Sequence, residues 1–104
     1  MKETKNNDEK IQEFQILEQN LQNLFLQKQA FQMELSETIT AKKEIEKSEE
    51  VFKIVGQLMI KSNPTEMKEE LSNRENFLNI RLKSIEKQEN HLTEKLETLR
   101  KEIF

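Results

Sequence analysis

The stretch VFKIVGQLMIK, residues 51–61, is an apolar interruption in a chain that is 36% charged and 34% hydrophobic. It contains Gly56, the one glycine among the 104 residues. Gly56 and Gln57 fit the two central positions of a type II′ turn, which needs a positive φ at the first of them. We therefore predict a β-hairpin at about residues 51–61. The alternative is one more helical turn joining two helices.

Both faces of this hairpin would be apolar. A lone two-stranded hairpin is marginal in water, and apolar faces with free edges favour pairing with further strands. We therefore expect hairpins from several subunits to pair edge to edge and close an intersubunit sheet or β-barrel. The expected interface consists of Phe52, Ile54, Val55, Gly56, Leu58, Met59 and Ile60.

Heptad repeats flank the hairpin on both sides. The first repeat follows alternating steps of three and four residues through Phe14, Leu17, Leu21, Leu24, Lys28, Phe31, Leu35, Thr38, Lys42 and Ile45. The second combines Leu71, Leu78, Ile85, Leu92 and Leu99 with Glu75, Leu82, Glu89, Leu96 and Ile103. Repeats sustained over about four heptads indicate a coiled coil. The predicted fold is mainly α: a long antiparallel two-helix coiled coil joined by a short β-hairpin, in a single domain of residues 1–104.

Capping residues set the expected helix bounds. Asn6, Asn7 and Asp8 are possible N-caps, so the first helix is predicted at about residues 8–49. In the second helix Asn63 would be the N-cap, Pro64 the first helical residue and Glu66 the third, which predicts a helix at about 65–103.

Charged residues also occur on the seam, the line of heptad positions where the two helices meet. Lys28 and Lys42 are spaced by fourteen residues, as are Glu75 and Glu89. We expect the pairs Lys28–Glu89 and Lys42–Glu75, which would fix register more than they would add stability. The alternative is that these long side chains simply extend into water. Two registers remain open, with facing residue numbers that add to 113 or to 120, and the lower sum is favoured because it is centred on Gly56.

Composition argues against several classes of function. No Cys, one His and one Gly leave no thiolate metal site, histidine cluster or glycine-rich phosphate loop, so we expect no metal, cofactor or catalytic residue. A net charge of −3 gives no reason to expect nucleic acid. The start MKETKNNDEK has no apolar signal segment and no run is long enough to span a membrane, so a soluble cytosolic or nuclear protein is expected, with the cytoplasm as the predicted location.

Three segments carry a family resemblance: VFKIVGQLMIK (residues 51–61), RLKSIEKQE (residues 81–89) and the upstream LQKQAFQMELSET (residues 26–38). They resemble, in that order, the hairpin, a typical stretch of the second helix and the first helix of the beta class of prefoldin subunits. The alpha class has two hairpins, whereas only one fits here. Phe52 stands where the family often has Tyr.

The resemblance implies a subunit of an ATP-independent chaperone. Prefoldin is a hetero-hexamer of two alpha-class and four beta-class subunits, whose hairpins form a double β-barrel. Its coiled-coil tips hold unfolded client proteins and deliver them to a group II chaperonin.

On this resemblance, clients would bind the coiled-coil end farthest from the hairpin. The residues expected there are Ile11, Phe14, Ile16, Leu17, Leu96, Leu99, Ile103 and Phe104. Apolar residues away from the seam could also line the client space, or could be ordinary scattered surface residues. They are Phe25, Leu26, Met33, Ile39, Phe77 and Ile80.

A structural coiled-coil tether or adaptor is the alternative function. A tether has no need of a hairpin with two apolar faces, so the hairpin favours the chaperone subunit.

Overall fold

The structure, a computed structural model, describes residues 2–104, with side chains from residue 7 onward. Its elements in chain order are helix α1 (Lys2–Lys47), strand β1 (Val51–Val55), strand β2 (Leu58–Ser62) and helix α2 (Pro64–Ile103). Two long helices joined by a short antiparallel hairpin confirm the predicted fold class.

The hairpin forms around a glycine turn. β1 and β2 pair antiparallel, from Val51 opposite Ser62 to Val55 opposite Leu58. Gly56 has a φ of 60°, while Gln57 does not have a positive φ, which separates type II′ from type I′. A Cβ added at Gly56 would meet nothing within 4 Å, so the backbone conformation and not crowding requires glycine. The hairpin prediction is confirmed, and the alternative of a helical turn is wrong.

A side-chain cap fixes the start of α2. The Asn63 Oδ1 accepts a hydrogen bond from the Thr65 N–H at 2.8 Å. The Asn63 carbonyl accepts from the Met67 N–H at 3.0 Å, which is the first intrahelical bond. Because Pro64 has no N–H to leave unpaired, it is well suited to the first helical position. The helix thus begins at Pro64, one residue before the predicted start.

The bounds of α1 differ from the prediction of residues 8–49. The helix already includes Lys2 and continues through Asn6, Asn7 and Asp8, so these residues do not cap it. Asn and Asp disfavour a helix interior by only a few tenths of a kcal/mol, about 0.7 at most, and no Pro or Gly interrupts this segment. At the other end α1 stops at Lys47, where the Ser48 hydroxyl donates to the Glu44 carbonyl at 2.9 Å.

The chain divides into two compact units, one of residues up to Ala30 with Leu82–Phe104, the other of Phe31–Arg81. The first unit buries seam residues of both helices, namely Leu17, Leu82, Ile85 and Leu99. The second buries Leu78, Val51 and Thr38. The Thr38 hydroxyl donates to the Glu34 carbonyl at 2.8 Å, so this polar seam residue is satisfied by its own helix. Both cores are narrow, which explains the low apolar fraction of the sequence.

Candidate functional site

The hairpin exposes nearly all of its apolar surface. Val51 is buried at its base, but the exposed fraction of the remaining large side chains runs from 48% at Ile60 to 71% at Ile54. The exposed set is Phe52, Ile54, Val55, Leu58, Met59 and Ile60, which includes every side chain that was expected at a subunit interface. Burying one such side chain stabilises an assembly by roughly 1.5–3 kcal/mol. Burying these exposed side chains would therefore contribute a large favourable free energy to association.

The two faces of the hairpin have different surroundings. Alternate residues of a strand share a face, so Lys53 lies on the same face as the buried Val51. The Lys53 ammonium lies 3.2 Å from the Glu70 carboxylate of α2, so the base of this face contacts the chain's own helix while its other apolar side chains stay exposed. The opposite face carries Phe52, Ile54 and Met59, and we call it the open face.

The predicted tip residues fall into three levels of burial. Ile11, Ile16 and Phe104 are exposed, with Phe104 at 84%. Phe14, Leu96 and Ile103 are half-buried. Leu17 and Leu99 are buried on the seam. The first group presents most of the apolar surface without any movement, the half-buried group presents part of its surface, and the buried pair would need the helix ends to separate.

Aromatic and charged contacts hold the helix ends together at this tip. The rings of Phe14 and Phe104 pack edge to face, with 6.2 Å between centroids and 79° between planes. The Lys10 ammonium lies 3.3 Å from the Glu102 carboxylate. Both contacts are partly exposed, and such contacts at helix ends are the first to open.

Two lysines pair with glutamates across the seam. The Lys28 ammonium lies 3.2 Å from the Glu89 carboxylate, and the Lys42 ammonium lies 2.8 Å from that of Glu75. Their side chains are 16–29% exposed, so each pair keeps some contact with water. The charged ends therefore meet each other instead of simply extending into solvent.

The residue numbers of these ion pairs add to a different sum from those of the hairpin. Paired strand residues have numbers that add to 113, whereas each ion pair adds to 117. In either register considered from the sequence, each lysine lies one layer from its glutamate, so both ion pairs fit both registers. Other ion pairs between the helices add to 112 for Lys10–Glu102 and to 114 for Lys68–Glu46.

Reversing the charge at Lys28 tests the seam pair. We expect Lys28→Glu to lower the free energy of unfolding by about 1–2 kcal/mol, because it sets two carboxylates against each other at a partly buried position. Adding Glu89→Lys should restore most of the loss. Thermal and urea unfolding followed by circular dichroism would measure both.

The matched control is Lys68→Glu, whose partner Glu46 is more than half exposed. This change should stay within about 0.5 kcal/mol. A double variant no more stable than Lys28→Glu alone would show that Lys28 and Glu89 do not act as a pair.

Sequence reasoning did not single out a half-buried part of the seam in the first unit. Leu21, Leu24, Leu92 and Leu96 are only half-buried, although the seam positions beyond them at Leu17, Ile85 and Leu99 are buried. Grooves flank it on both sides. One has a volume of about 410 Å³ with Leu24 and Leu92 in its lining, and the other about 520 Å³ with Leu21, Leu96 and Phe25. The one available signal was the run of Asn and Gln beside these leucines.

Among the described residues, neither helix contains a segment both long and apolar enough to cross a membrane.

Comparison with known proteins identifies the family. The family model described as "Prefoldin subunit" matches residues 8–103. A prefoldin subunit beta of Thermococcus onnurineus is 42% identical over 89 residues, covering 83% of this chain and 77% of the relative. The corresponding subunit of Pyrobaculum islandicum is 35% identical over 96 residues, covering 89% and 77%. The crystal structure of the prefoldin beta subunit from Thermococcus strain KS-1 has a TM-score of 0.85 and 34% identity, covering 94% of this chain and 89% of that one.

The chain therefore belongs to the prefoldin subunit family, a family of chaperone subunits. The assignment to the beta class, first indicated by the single hairpin and residues 81–89, is confirmed. Membership of this class implies assembly with other prefoldin subunits.

Proposed function

We propose that this chain is a subunit of a cytoplasmic hetero-hexameric holdase, assembled with alpha-class and other beta-class subunits. In this role it binds unfolded polypeptides at the coiled-coil tips without ATP and delivers them to a group II chaperonin. One observation supports this proposal above all. In this member of a chaperone family, the hairpin leaves its apolar side chains exposed.

The hairpin argues for assembly because of its energetics. The open face and both outer strand edges have no partner within the two-stranded sheet. Strand pairing with other subunits would satisfy the edge N–H and C=O groups and remove the apolar side chains from water. A tether would gain nothing from this surface and would risk aggregation through it. Assembly through hairpins is therefore favoured over a tether or adaptor role.

The tip supports client holding through its mixture of exposed and weakly held apolar groups. Ile16 and Phe104 are exposed in the closed arrangement, while Phe14 is held by one aromatic contact. Unfolded proteins expose apolar side chains, so a surface of this kind can bind many sequences without specific hydrogen bonds. The off-seam residues Met33 and Phe77 are also exposed and could extend the client surface.

The test is suppression of aggregation by a reconstituted complex. The chain would be assembled with an alpha-class subunit, and an unfolded model protein would be diluted from denaturant into it while light scattering is recorded without nucleotide. A holdase should suppress scattering at near-stoichiometric amounts, and added ATP should change nothing. An assembled complex that leaves the scattering of the model protein unchanged would contradict the proposed function.

A further inference from the structure

A half-buried part of the seam offers a binding surface away from the tip. Leu24 and Leu92 are half-buried there, and the ion pair of Lys28 and Glu89 follows on the seam. A groove of about 410 Å³ has both leucines in its lining.

The lining of this groove is rich in amides. Its amide side chains are those of Asn20, Asn23, Gln27 and Gln88, and we call it the amide groove. His91 completes its polar edge, and no Asp, Glu, Lys or Arg lines it. In a chain with 36% charged residues, a lining without Asp, Glu, Lys or Arg is a distinct chemical environment.

The amide side chains keep hydrogen-bonding capacity for a ligand. Among the side chains of residues 7–104, the Asn23 Oδ1 accepts one hydrogen bond, from the Gln19 Nε2 at 3.3 Å. Each amide offers two N–H donors and a carbonyl acceptor. Asn20, Gln27 and Gln88 are exposed, so these groups are solvated and free to exchange water for a ligand.

An extended polypeptide backbone is the chemistry that matches this lining. Each peptide unit presents an N–H donor and a C=O acceptor, and an amide side chain can pair with both. Charged side chains would select ligands of opposite charge, whereas amides recognise backbone groups whatever the sequence. Asn20 and Gln27 are seven residues apart on α1, about 10 Å along the helix, which matches roughly three residues of extended chain.

We propose that the amide groove binds a short extended segment of an unfolded polypeptide through its backbone. The groove amides bond the peptide N–H and C=O groups, while Leu24 and Leu92 contact its apolar side chains. This inference rests on the proposed function and adds to it a second client contact, selective for backbone groups instead of side chains.

N-methylation of a peptide gives a direct test in the assembled complex. The probes are a short fluorescein-labelled peptide in which Leu and Ser alternate, and a copy N-methylated at alternate residues to remove N–H donors. Fluorescence anisotropy should show about tenfold weaker binding of the methylated copy, as expected from the loss of one or two net hydrogen bonds. The variant Asn23→Leu/Gln88→Met keeps side-chain size but removes two groove amides. In this variant the ratio of the two peptide affinities, unmethylated to methylated, should fall close to one.

The matched control is Gln29→Met/Asn76→Leu, which removes two exposed amides outside the groove and should keep the tenfold ratio. Equal binding of the two peptides by the unaltered complex, or an unchanged affinity ratio in the groove variant, would overturn this inference and leave the proposed function standing. Failure of the unaltered complex to bind either peptide would overturn the proposed function together with this inference.

Discussion

Replacing Ile54 by Lys is expected to prevent assembly of the chain with other prefoldin subunits. Ile54 is 71% exposed in the single chain, so the change should leave α1, α2 and the hairpin folded. In an assembly the same position would be buried on the open face. A lysine there loses the apolar contact and needs its charge desolvated, which costs at least about 3 kcal/mol, or roughly a hundredfold in association. Size-exclusion chromatography with light scattering would detect the loss of the large species.

The matched control for this change is Ile80→Lys. Ile80 is 67% exposed, but it lies on α2 outside the hairpin. The two variants introduce the same residue at nearly equal exposure, so only the hairpin variant should lose assembly. Ile54→Lys subunits that still form the full complex would show that the open face is not the interface.

Deleting residues 1–16 is expected to abolish suppression of aggregation while leaving the assembly intact. The deletion removes Ile11, Phe14 and Ile16, and with them the aromatic contact to Phe104. The hairpin lies at the opposite end of α1 in the sequence, so the interface residues 51–61 are retained. Light scattering of an unfolded model protein would measure holding, and size-exclusion chromatography would report assembly.

Point variants show whether holding is lost because apolar side chains are removed or because the end of α1 is removed. Ile16→Glu with Phe104→Glu changes two exposed side chains and should reduce holding several-fold without shortening α1. Gln12→Glu with Gln15→Glu is the control, because it adds two charges at exposed positions of the same helix end without removing an apolar side chain. Full suppression of aggregation by the deletion variant would contradict the assignment of the tip as the client site.

Local sequence signals predicted the elements that depend on local conformation. The type II′ turn follows from Gly56 because few other residues adopt a positive φ without strain. The start of α2 follows from Asn63 and Pro64, since the cap hydrogen bond and the missing N–H of proline act within one turn. The heptad spacing likewise placed Leu78, Leu82, Ile85 and Leu99 on the seam, and all four are buried.

Features that depend on length and packing could not be predicted in the same way. The start of α1 was placed too late, because the helix preferences of Asn6, Asn7 and Asp8 are too weak to end a helix. The half-burial of Leu21 and Leu92 depends on how closely two helices approach, which a repeat pattern does not specify.

Native mass spectrometry of the chain purified together with an alpha-class prefoldin subunit tests the central claim most directly. A hexamer of two alpha-class and four beta-class subunits is predicted, and it should be lost with Ile54→Lys but kept with Ile80→Lys. A simple dimer of this chain with no alpha-class subunit bound would contradict assembly through the hairpin and favour the tether.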